Sequence, residues 1–135
     1  MKVQAYLSFE GRCEEAIAFY QKTLGAKPGM LMRWKECPDK EYVPKGIEEK
    51  VMHSSFHIGD TEVMASDGYA KGNPTFNGIS LTLAVKDVAS ANKYFEALTD
   101  GGSVQMPIAK TFFAPAFGTL TDKFGVTWMV IAQSQ

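Results

Sequence analysis

The chain lacks features that define several large classes of protein. Its 135 residues contain two isolated cysteines, which form neither a metal cluster nor a redox pair. Its net charge is −1 and no basic stripe is visible, so the electrostatic footprint of a nucleic-acid-binding protein is missing. No apolar run approaches the roughly 18 residues that a membrane span needs. We therefore expect no nucleic-acid partner and no membrane partner.

The composition that remains is that of a folded globular chain. Hydrophobic residues make up 45% of the sequence and charged residues 21%, and the length suits one domain with a substantial core. The first residues, MKVQAYLSFEGR, alternate in polarity, which predicts a strand rather than a signal peptide. We expect a cytoplasmic protein by default.

The two cysteines have different surroundings in the sequence. Cys13 occupies an apolar position of a helical pattern, which predicts a small buried hydrophobic residue. Cys37 lies beside Pro38 in a polar stretch and is interpreted as an incidental free thiol, because no base is identifiable beside it.

One pattern occurs twice along the chain, about 75 residues apart. Each copy places four apolar residues at i, i+3, i+6 and i+7, which suits one face of a helix. The members are Cys13, Ala16, Phe19 and Tyr20 in the first copy, and Val88, Ala91, Tyr94 and Phe95 in the second. Each copy follows a strand-like run and precedes glycine. The repeat predicts two copies of one supersecondary unit.

The remaining periodicities complete both units. Helices are predicted from residue 13 to 24, ending at Gly25, and after Asp87 as the N-cap. Strands are predicted at 3–9, 30–34, 51–58, 62–66, 79–85, 103–109, 118–121 and 126–132. The charged stretch 35–50 is either a solvated loop or a mobile lid. The pattern predicts an α+β chain that runs β-α-β-β-β twice, with helices on the outer face of curved sheets.

Several stretches carry a family resemblance over nearly the whole chain. They are residues 6–9, 15–20, 64–67, 111–113 and 122–128, the last reading DKFGVTW. With these motifs the chain resembles the vicinal oxygen chelate superfamily, which includes glyoxalase I, bleomycin-resistance proteins and dioxygenases. It is most similar to the PhnB-like family, often labelled "3-demethylubiquinone-9 3-methyltransferase domain".

The resemblance implies a single glyoxalase/bleomycin-resistance-like domain over residues 1–135. Module 1 would cover about 1–67, a linker 68–77, and module 2 about 78–135, with a curved mixed sheet enclosing a cup. The methyltransferase label does not suit this pattern. A Rossmann-like methyltransferase needs a parallel sheet with a Gly-rich turn, and the sequence contains no such strand–turn–helix unit.

Metal-dependent members of the superfamily bind their ion through four strand positions inside the cup. By the resemblance these fall on Gln4 (or Ala5), on Met64 with Glu62 as the nearest carboxylate, on Ser80 and on Met129. Divalent ions prefer carboxylate or imidazole ligands, so Ser80 and Met129 would be poor partners. We therefore expect no metal ion and no cofactor.

The two histidines are four residues apart in a predicted strand. At about 3.3 Å per residue they share a face but lie roughly 13 Å apart, so they cannot chelate one ion alone. His53 and His57 are each either a hydrogen-bonded wall residue or a ligand-binding donor or general base. His53 is the best catalytic candidate, because the PhnB-like pattern tends to carry histidine there.

Two other residues have competing interpretations. Asp67 is either a cup residue or the cap of the turn that opens the linker. Trp128 has the opposite strand parity from Met129, which predicts that it packs beneath a helix.

These observations leave three functional hypotheses. The first is a metal-independent protein that binds a small apolar or aromatic molecule in the cup. The predicted ligand-binding residues are Gln4, Tyr6, His53, His57, Glu62, Ser66, Ser80, Phe113, Phe117 and Met129. The second is a glyoxalase-like enzyme of lyase, isomerase or dioxygenase type, with His53 or Glu62 as base and a weak metal site. The third is a partner-binding protein with a vestigial cup. A homodimer is expected by analogy with the superfamily.

Overall fold

The computed structural model describes residues 1–133. The chain divides into two compact units, Met1–Pro74 and Thr75–Gln135, and the boundary falls inside the predicted linker 68–77. Over the described residues, each unit holds one α-helix and one four-stranded mixed sheet, in the order β-α-β-β-β. The predicted α+β class and the doubled element order are confirmed.

Unit 1, Met1–Pro74, contains the first helix and the first sheet. Its elements are β1 (Tyr6–Ser8), α1 (Cys13–Leu24), β2 (Lys27–Arg33), β3 (Val51–Ile58) and β4 (Thr61–Ser66). The strands form sheet 1 in the order β1-β4-β3-β2. β1 runs parallel to β4, and the other two pairs are antiparallel. This order places β4 between β1 and β3, which matters for the site below.

Helix α1 begins and ends where its sequence predicts. Glu14 and Glu15 lie in the first turn and Lys22 in the last, an arrangement that complements the helix dipole. Gly25 ends the helix in the left-handed region at φ 67°, where its N–H is donated to the carbonyls of the last turn. The capping residue at the other end, Arg12, makes no side-chain cap, so the first N–H groups need another acceptor.

Aromatic rings fill the core between α1 and sheet 1. Phe9, Tyr20 and Phe56 are each fully buried, and the Tyr20 and Phe56 rings stack with centroids 6.0 Å apart. Cys13 is fully buried beside them, and burial raises the pKa of its thiol to about 12. The prediction that Cys13 serves as a small buried hydrophobic residue is confirmed.

Two strands of unit 1 begin three residues away from their predicted start. β1 begins at Tyr6 rather than at residue 3, and Val3 is exposed. β2 begins at Lys27 rather than at residue 30, although Pro28 and Gly29 read as turn residues. β2 is a terminal strand of sheet 1 and tolerates Pro28 and Gly29. The outer N–H groups of such a strand need no partner, and the β2–β3 ladder is irregular after Pro28.

The charged stretch after β2 is anchored at its base. The backbone N–H of Trp34 donates to the Lys50 carbonyl at 3.0 Å, and that of Lys35 donates to the Glu48 carbonyl at 2.9 Å. Two short 3-10 turns, Trp34–Glu36 and Lys40–Tyr42, form the segment between, which contains no fully buried residue. The solvated-loop interpretation agrees with this exposure, and movement as a lid stays a prediction.

Unit 2, Thr75–Gln135, repeats the arrangement. Its elements are β5 (Ser80–Val85), α2 (Val88–Thr99), β6 (Ser103–Ala109), β7 (Ala116–Thr121) and β8 (Thr127–Ala132). They form sheet 2 in the order β5-β8-β7-β6, with β5 parallel to β8 and the other pairs antiparallel. The two described sheets therefore share one connectivity.

The predicted N-cap of α2 is confirmed. The Asp87 carboxylate accepts a hydrogen bond from the Ser90 N–H at 2.7 Å, and contacts with Ser90 lower the pKa of Asp87. Ala91, Phe95 and Leu98 are buried as the apolar stripe predicts. Val88, which the stripe also predicts to be buried, lies in the first turn of α2 and is 42% exposed.

Candidate functional site

Sheet 1 has one covered face and one open face. Ser54 and Phe56 of β3 are buried on the α1 side, so the alternate residues of β3 point the other way. The strand registers add the neighbours of these residues on β1, β2 and β4. We call the resulting surface the open face of sheet 1, and its members are Gln4, Tyr6, Met32, His53, Ser55, His57, Glu62 and Met64.

Tyr6 and His53 meet on this open face across the intervening strand β4. The Tyr6 hydroxyl and His53 Nδ1 are 2.9 Å apart, and the two rings stack with centroids separated by 5.6 Å. The contact orients the imidazole, and the direction of the hydrogen bond sets its tautomer. Among residues 1–133 no protein group bonds to His53 Nε2. That nitrogen is therefore available to a ligand as donor or acceptor.

Gln4 and Glu62 form a second polar pair on the open face. Gln4 Nε2 donates to Glu62 Oε1 at 2.8 Å, which makes this amide a fixed partner of the carboxylate. The hydrogen bond lowers the pKa of Glu62, and Lys2 and the two histidines lower it further by weaker charge interactions. Glu62 is therefore held as a carboxylate, an acceptor for a ligand N–H or O–H.

His57 lies nearer the hairpin end of the same face. It is exposed, and the β-ladders pair it with Glu62 on one side and with Lys27 on the other. The expectation that the two histidines share a face is confirmed. His57 has no contact equivalent to the Tyr6–His53 stack among the residues that the structure describes.

Because Gly29 of β2 has no side chain, its backbone can lie close to Ser55 of β3 on the open face. A Cβ at this position would come within 2.7 Å of the Ser55 hydroxyl oxygen. Any larger residue would therefore displace Ser55, which lies between the two histidines in β3. Sequence reasoning did not identify Gly29, Ser55 or Met32 as neighbours of the site, because their proximity depends on the β2–β3 register.

Ser66 and Asp67 at the end of β4 are engaged in local structure. Ser66 is buried, and its hydroxyl accepts a hydrogen bond from the Gly68 N–H at 3.1 Å. The ligand-binding role of Ser66 stays a prediction, although this hydroxyl is already used by a turn.

The Asp67 side chain caps the start of α1, whereas the sequence suggested a cap for the turn that opens the linker. Its carboxylate is 1% exposed. Oδ1 accepts from the N–H groups of Gly11 (2.9 Å) and Cys13 (2.8 Å), and Oδ2 accepts from Val51 N–H (2.7 Å). The carboxylate thus supplies the acceptor that the first turn of α1 needed and ties β3 to it. Asp67 is therefore the acceptor for three backbone N–H groups, and these contacts occupy both of its carboxylate oxygens.

A polar cleft of about 330 Å³ lies beside Asp67. Its lining residues are Gly11, Glu14, Arg33, Glu49, Lys50, Val51 and Asp67. The charged groups are paired with one another or with backbone: Arg33 binds Glu14 at 2.7 Å, and Lys50 Nζ donates to the Gly11 carbonyl at 3.0 Å. The Arg33 contact lowers the pKa of Glu14. This paired arrangement stabilises the base of the loop.

The remaining predicted site residues belong to sheet 2. Ser80, Phe117 and Met129 lie on the face of sheet 2 that points away from α2, because the alternate residues Leu120, Trp128 and Val130 are buried on its α2 side. Phe113 is half exposed in the loop after β6, and its ring centroid lies 5.0 Å from that of Phe117. The prediction for Trp128 is confirmed, since only 2% of it is exposed.

The metal site of the superfamily does not fit these donors. Within residues 1–133, no three His, Cys, Asp or Glu side chains are close enough together to hold an ion. The carboxylate nearest the expected positions, Glu62, already accepts from Gln4. A hydroxyl at Ser80 and a thioether at Met129 are poor ligands for borderline divalent ions.

No helix within residues 1–133 is long and apolar enough to cross a membrane. The cytoplasmic location stays a prediction.

Two βαβββ units, each with one open sheet face, define a protein of the glyoxalase fold class. A glyoxylase/bleomycin resistance protein/dioxygenase domain from Frankia sp. EAN1pec has this fold, with a TM-score of 0.63 at 14% identity over 98% of this chain and 94% of that chain. More specifically, the family described as 3-demethylubiquinone-9 3-methyltransferase matches residues 1–131. The chain belongs to this family, and the predicted resemblance is confirmed.

Individual relatives agree with this assignment. Protein YjdN of Escherichia coli K12 is 35% identical, covering 96% of this chain and 94% of the relative. The crystal structure of PA1353 from Pseudomonas aeruginosa is 37% identical, with a TM-score of 0.88 over 100% of this chain and 99% of that chain. A putative 3-demethylubiquinone-9 3-methyltransferase, PhnB protein, from Bacillus cereus is 29% identical, with a TM-score of 0.82 over 98% and 99%.

Proposed function

We propose that this chain binds a small apolar or aromatic molecule on the open face of sheet 1 without a bound metal ion. The observation that carries the proposal is the Tyr6–His53 pair, in which a 2.9 Å hydrogen bond and a ring stack orient the imidazole. Tyr6 remains 48% exposed, so the pair is accessible from solvent. A pre-oriented polar group beside apolar surface is typical of small-molecule sites.

The surroundings of the pair suit such a ligand. Met32 is paired with His53 in the β2–β3 ladder, and Met64 with Tyr6 in the β1–β4 ladder. Methionine side chains adapt to irregular apolar ligands. The Gln4–Glu62 pair offers a second polar contact. The ligand-binding roles of Ser80, Phe113, Phe117 and Met129 in unit 2 stay predictions.

The methyltransferase in the family's name finds no support in this geometry. A Rossmann-like methyltransferase holds its cofactor at a Gly-rich turn of a parallel sheet. Sheets 1 and 2 are mixed, and each contains one parallel pair.

Binding is tested with uncharged aromatic probes, phenol and indole, on protein with ¹³C-methyl-labelled methionine. The seven methionines give a simple spectrum, in which Met64 is assigned by Met64→Leu. We expect both probes to shift the Met64 methyl signal. His53→Gln should weaken binding of phenol roughly fivefold, because one hydrogen bond of about 1 kcal/mol is lost.

The matched control for this test is His57→Gln. His57 lies on the same face but outside the Tyr6–His53 stack, so its loss should change affinity for phenol less than about twofold. If neither probe moves the Met64 signal, or if both histidine variants bind equally well, the proposal is wrong.

One observation also favours a second candidate, a glyoxalase-like enzyme of lyase, isomerase or dioxygenase type. His53 Nδ1 is held by Tyr6, and such an oriented imidazole with a free Nε2 has the arrangement of a general base. Glu62 is the other candidate base, and it is the weaker of the two, because the hydrogen bond from Gln4 lowers its pKa.

Metal analysis separates the two candidates. Protein purified without chelator is analysed for metal and then titrated with zinc, nickel, manganese and iron. We expect no stoichiometric ion, because the donor set does not fit. One tightly bound ion per chain, lost in Glu62→Ala but kept in the exposed-loop control Glu41→Ala, would contradict metal-independent binding and support the enzyme.

A further inference from the structure

The hydrogen bond between Tyr6 and His53 can run in two directions, and the direction decides what His53 offers to a ligand. The Tyr6 hydroxyl oxygen and His53 Nδ1 are 2.9 Å apart. If Tyr6 donates, Nδ1 is bare and the neutral imidazole carries its proton on Nε2. If His53 donates, the proton is on Nδ1 and Nε2 is bare. Only the first arrangement of the neutral ring makes Nε2 a donor toward the open face.

The chemistry of the two groups favours donation by Tyr6. A phenol is more acidic than the N–H of a neutral imidazole, and a bare imidazole nitrogen is more basic than a phenol oxygen. The stronger donor therefore meets the stronger acceptor when the Tyr6 hydroxyl donates to His53 Nδ1. Within residues 1–133 neither side chain makes a further hydrogen bond, so no protein contact opposes this direction.

The surroundings of His53 combine this single donor with apolar surface. The Tyr6 ring stacks on the imidazole with an interplanar angle of 24°, which covers one face of the ring. Met32 is the ladder partner of His53 on β2, and Met64 is the ladder partner of Tyr6 on β4. A planar apolar ligand that rests here finds a donor at its edge. It needs an acceptor atom at that point, because a second N–H or O–H there would meet Nε2–H donor to donor.

We infer that the open face of sheet 1 takes a small aromatic molecule with a carbonyl oxygen, such as an aromatic ketone, aldehyde or amide, and that this oxygen accepts from His53 Nε2–H. This assignment rests on the proposed function and narrows its ligand class. Tyr6 is then a positioning residue, whose hydroxyl holds the proton of His53 on Nε2. A general base at Nε2 needs the opposite tautomer, so the same assignment argues against His53 as a base.

The tautomer is read from long-range ¹H–¹⁵N spectra of the histidine rings, at about pH 9, above the range in which imidazole ordinarily titrates. The chain has two histidines, and His53→Gln assigns the signals. We expect His53 to show a bare Nδ1 and a protonated Nε2. Tyr6→Phe removes the donor to Nδ1 and should move its ¹⁵N signal. Tyr69→Phe is the matched control, because Tyr69 is another exposed tyrosine with a stacked ring.

The ligand class is tested with acetophenone, which has an acceptor oxygen and no donor. Indole, an N–H donor without oxygen, is the control, and the Met64 methyl signal reports the affinity of both. His53→Phe keeps an aromatic ring but removes Nε2–H. It should weaken acetophenone binding roughly fivefold and change indole binding less than about twofold. An unfolding temperature close to that of wild type will show that the variant is folded.

Two results overturn the carbonyl assignment alone. One is a proton on His53 Nδ1, and the other is an equal loss of acetophenone and indole affinity in His53→Phe. In either case, binding of a probe to wild type keeps the proposed ligand site. If no probe moves the Met64 signal, the ligand site itself is contradicted and the carbonyl assignment fails with it.

Discussion

Replacing Asp67 with asparagine is expected to lower the free energy of unfolding of unit 1 by about 3 kcal/mol. The carboxylate accepts hydrogen bonds from the N–H groups of Gly11, Cys13 and Val51, and its exposed fraction is 1%. An amide has one oxygen, so its NH₂ group must face either Val51 or the pair at the start of α1. At least one buried N–H then meets a donor instead of an acceptor.

The measurement is guanidinium denaturation followed by Trp34 fluorescence. The chain has two tryptophans, and Trp34 is the one in unit 1, where its indole N–H donates to the Gly68 carbonyl beside Asp67 at 3.2 Å. Asp60→Asn, in the exposed turn between β3 and β4, is the matched control and should change stability by less than about 0.5 kcal/mol. Equal stability of Asp67→Asn and Asp60→Asn would show that the carboxylate has no anchoring role.

The features that the sequence predicted correctly rest on local signals. α1 coincides with its predicted range because an apolar stripe, an acidic first turn and Gly25 all lie within the helix or next to it. β6 coincides with residues 103–109 as predicted, even though nearly all of it is exposed. Periodicity and end signals of this kind act over a few residues, so they can be recognised without knowing what packs against them.

The features that it missed depend on distant partners. The extension of β2 through Pro28 and Gly29 follows from its pairing with β3, some 28 residues away in sequence. The Tyr6–His53 contact needs β1 and β3 to flank β4, an order that alternation within a strand does not specify. Alternation did place both histidines on the open face. It could not show which of them would be held by an aromatic ring.

The two buried aspartates illustrate the same distinction. The sequence leaves Asp67 as either a cup residue or a local turn cap, but two of its three partners, Gly11 and Cys13, lie more than 50 residues before it. Asp122 makes the local kind of cap. Its Oδ1 accepts from Phe124 N–H at 2.9 Å and Val126 N–H at 3.1 Å, the turn that the DKFG stretch predicts.

Replacing Asp122 with alanine should destabilise unit 2 by about 3 kcal/mol, and the effect should depend on Trp128. Besides the two turn contacts, Asp122 Oδ2 accepts from the indole N–H of Trp128 at 2.9 Å, and Trp128 is 2% exposed. Without the carboxylate, this indole N–H loses its buried acceptor. Trp128→Phe removes the donor while keeping an aromatic ring in the core.

A double-mutant cycle followed by circular dichroism isolates this contact, because fluorescence of Trp128 is lost in two of the four proteins. Asp122→Ala should cost about 1 to 2 kcal/mol less in the Trp128→Phe background than in wild type, since no unsatisfied indole remains. Strictly additive effects would show that the indole contact contributes nothing beyond the turn. Asp122 and Trp128 would then stabilise unit 2 independently, Asp122 through its turn contacts and Trp128 through core packing.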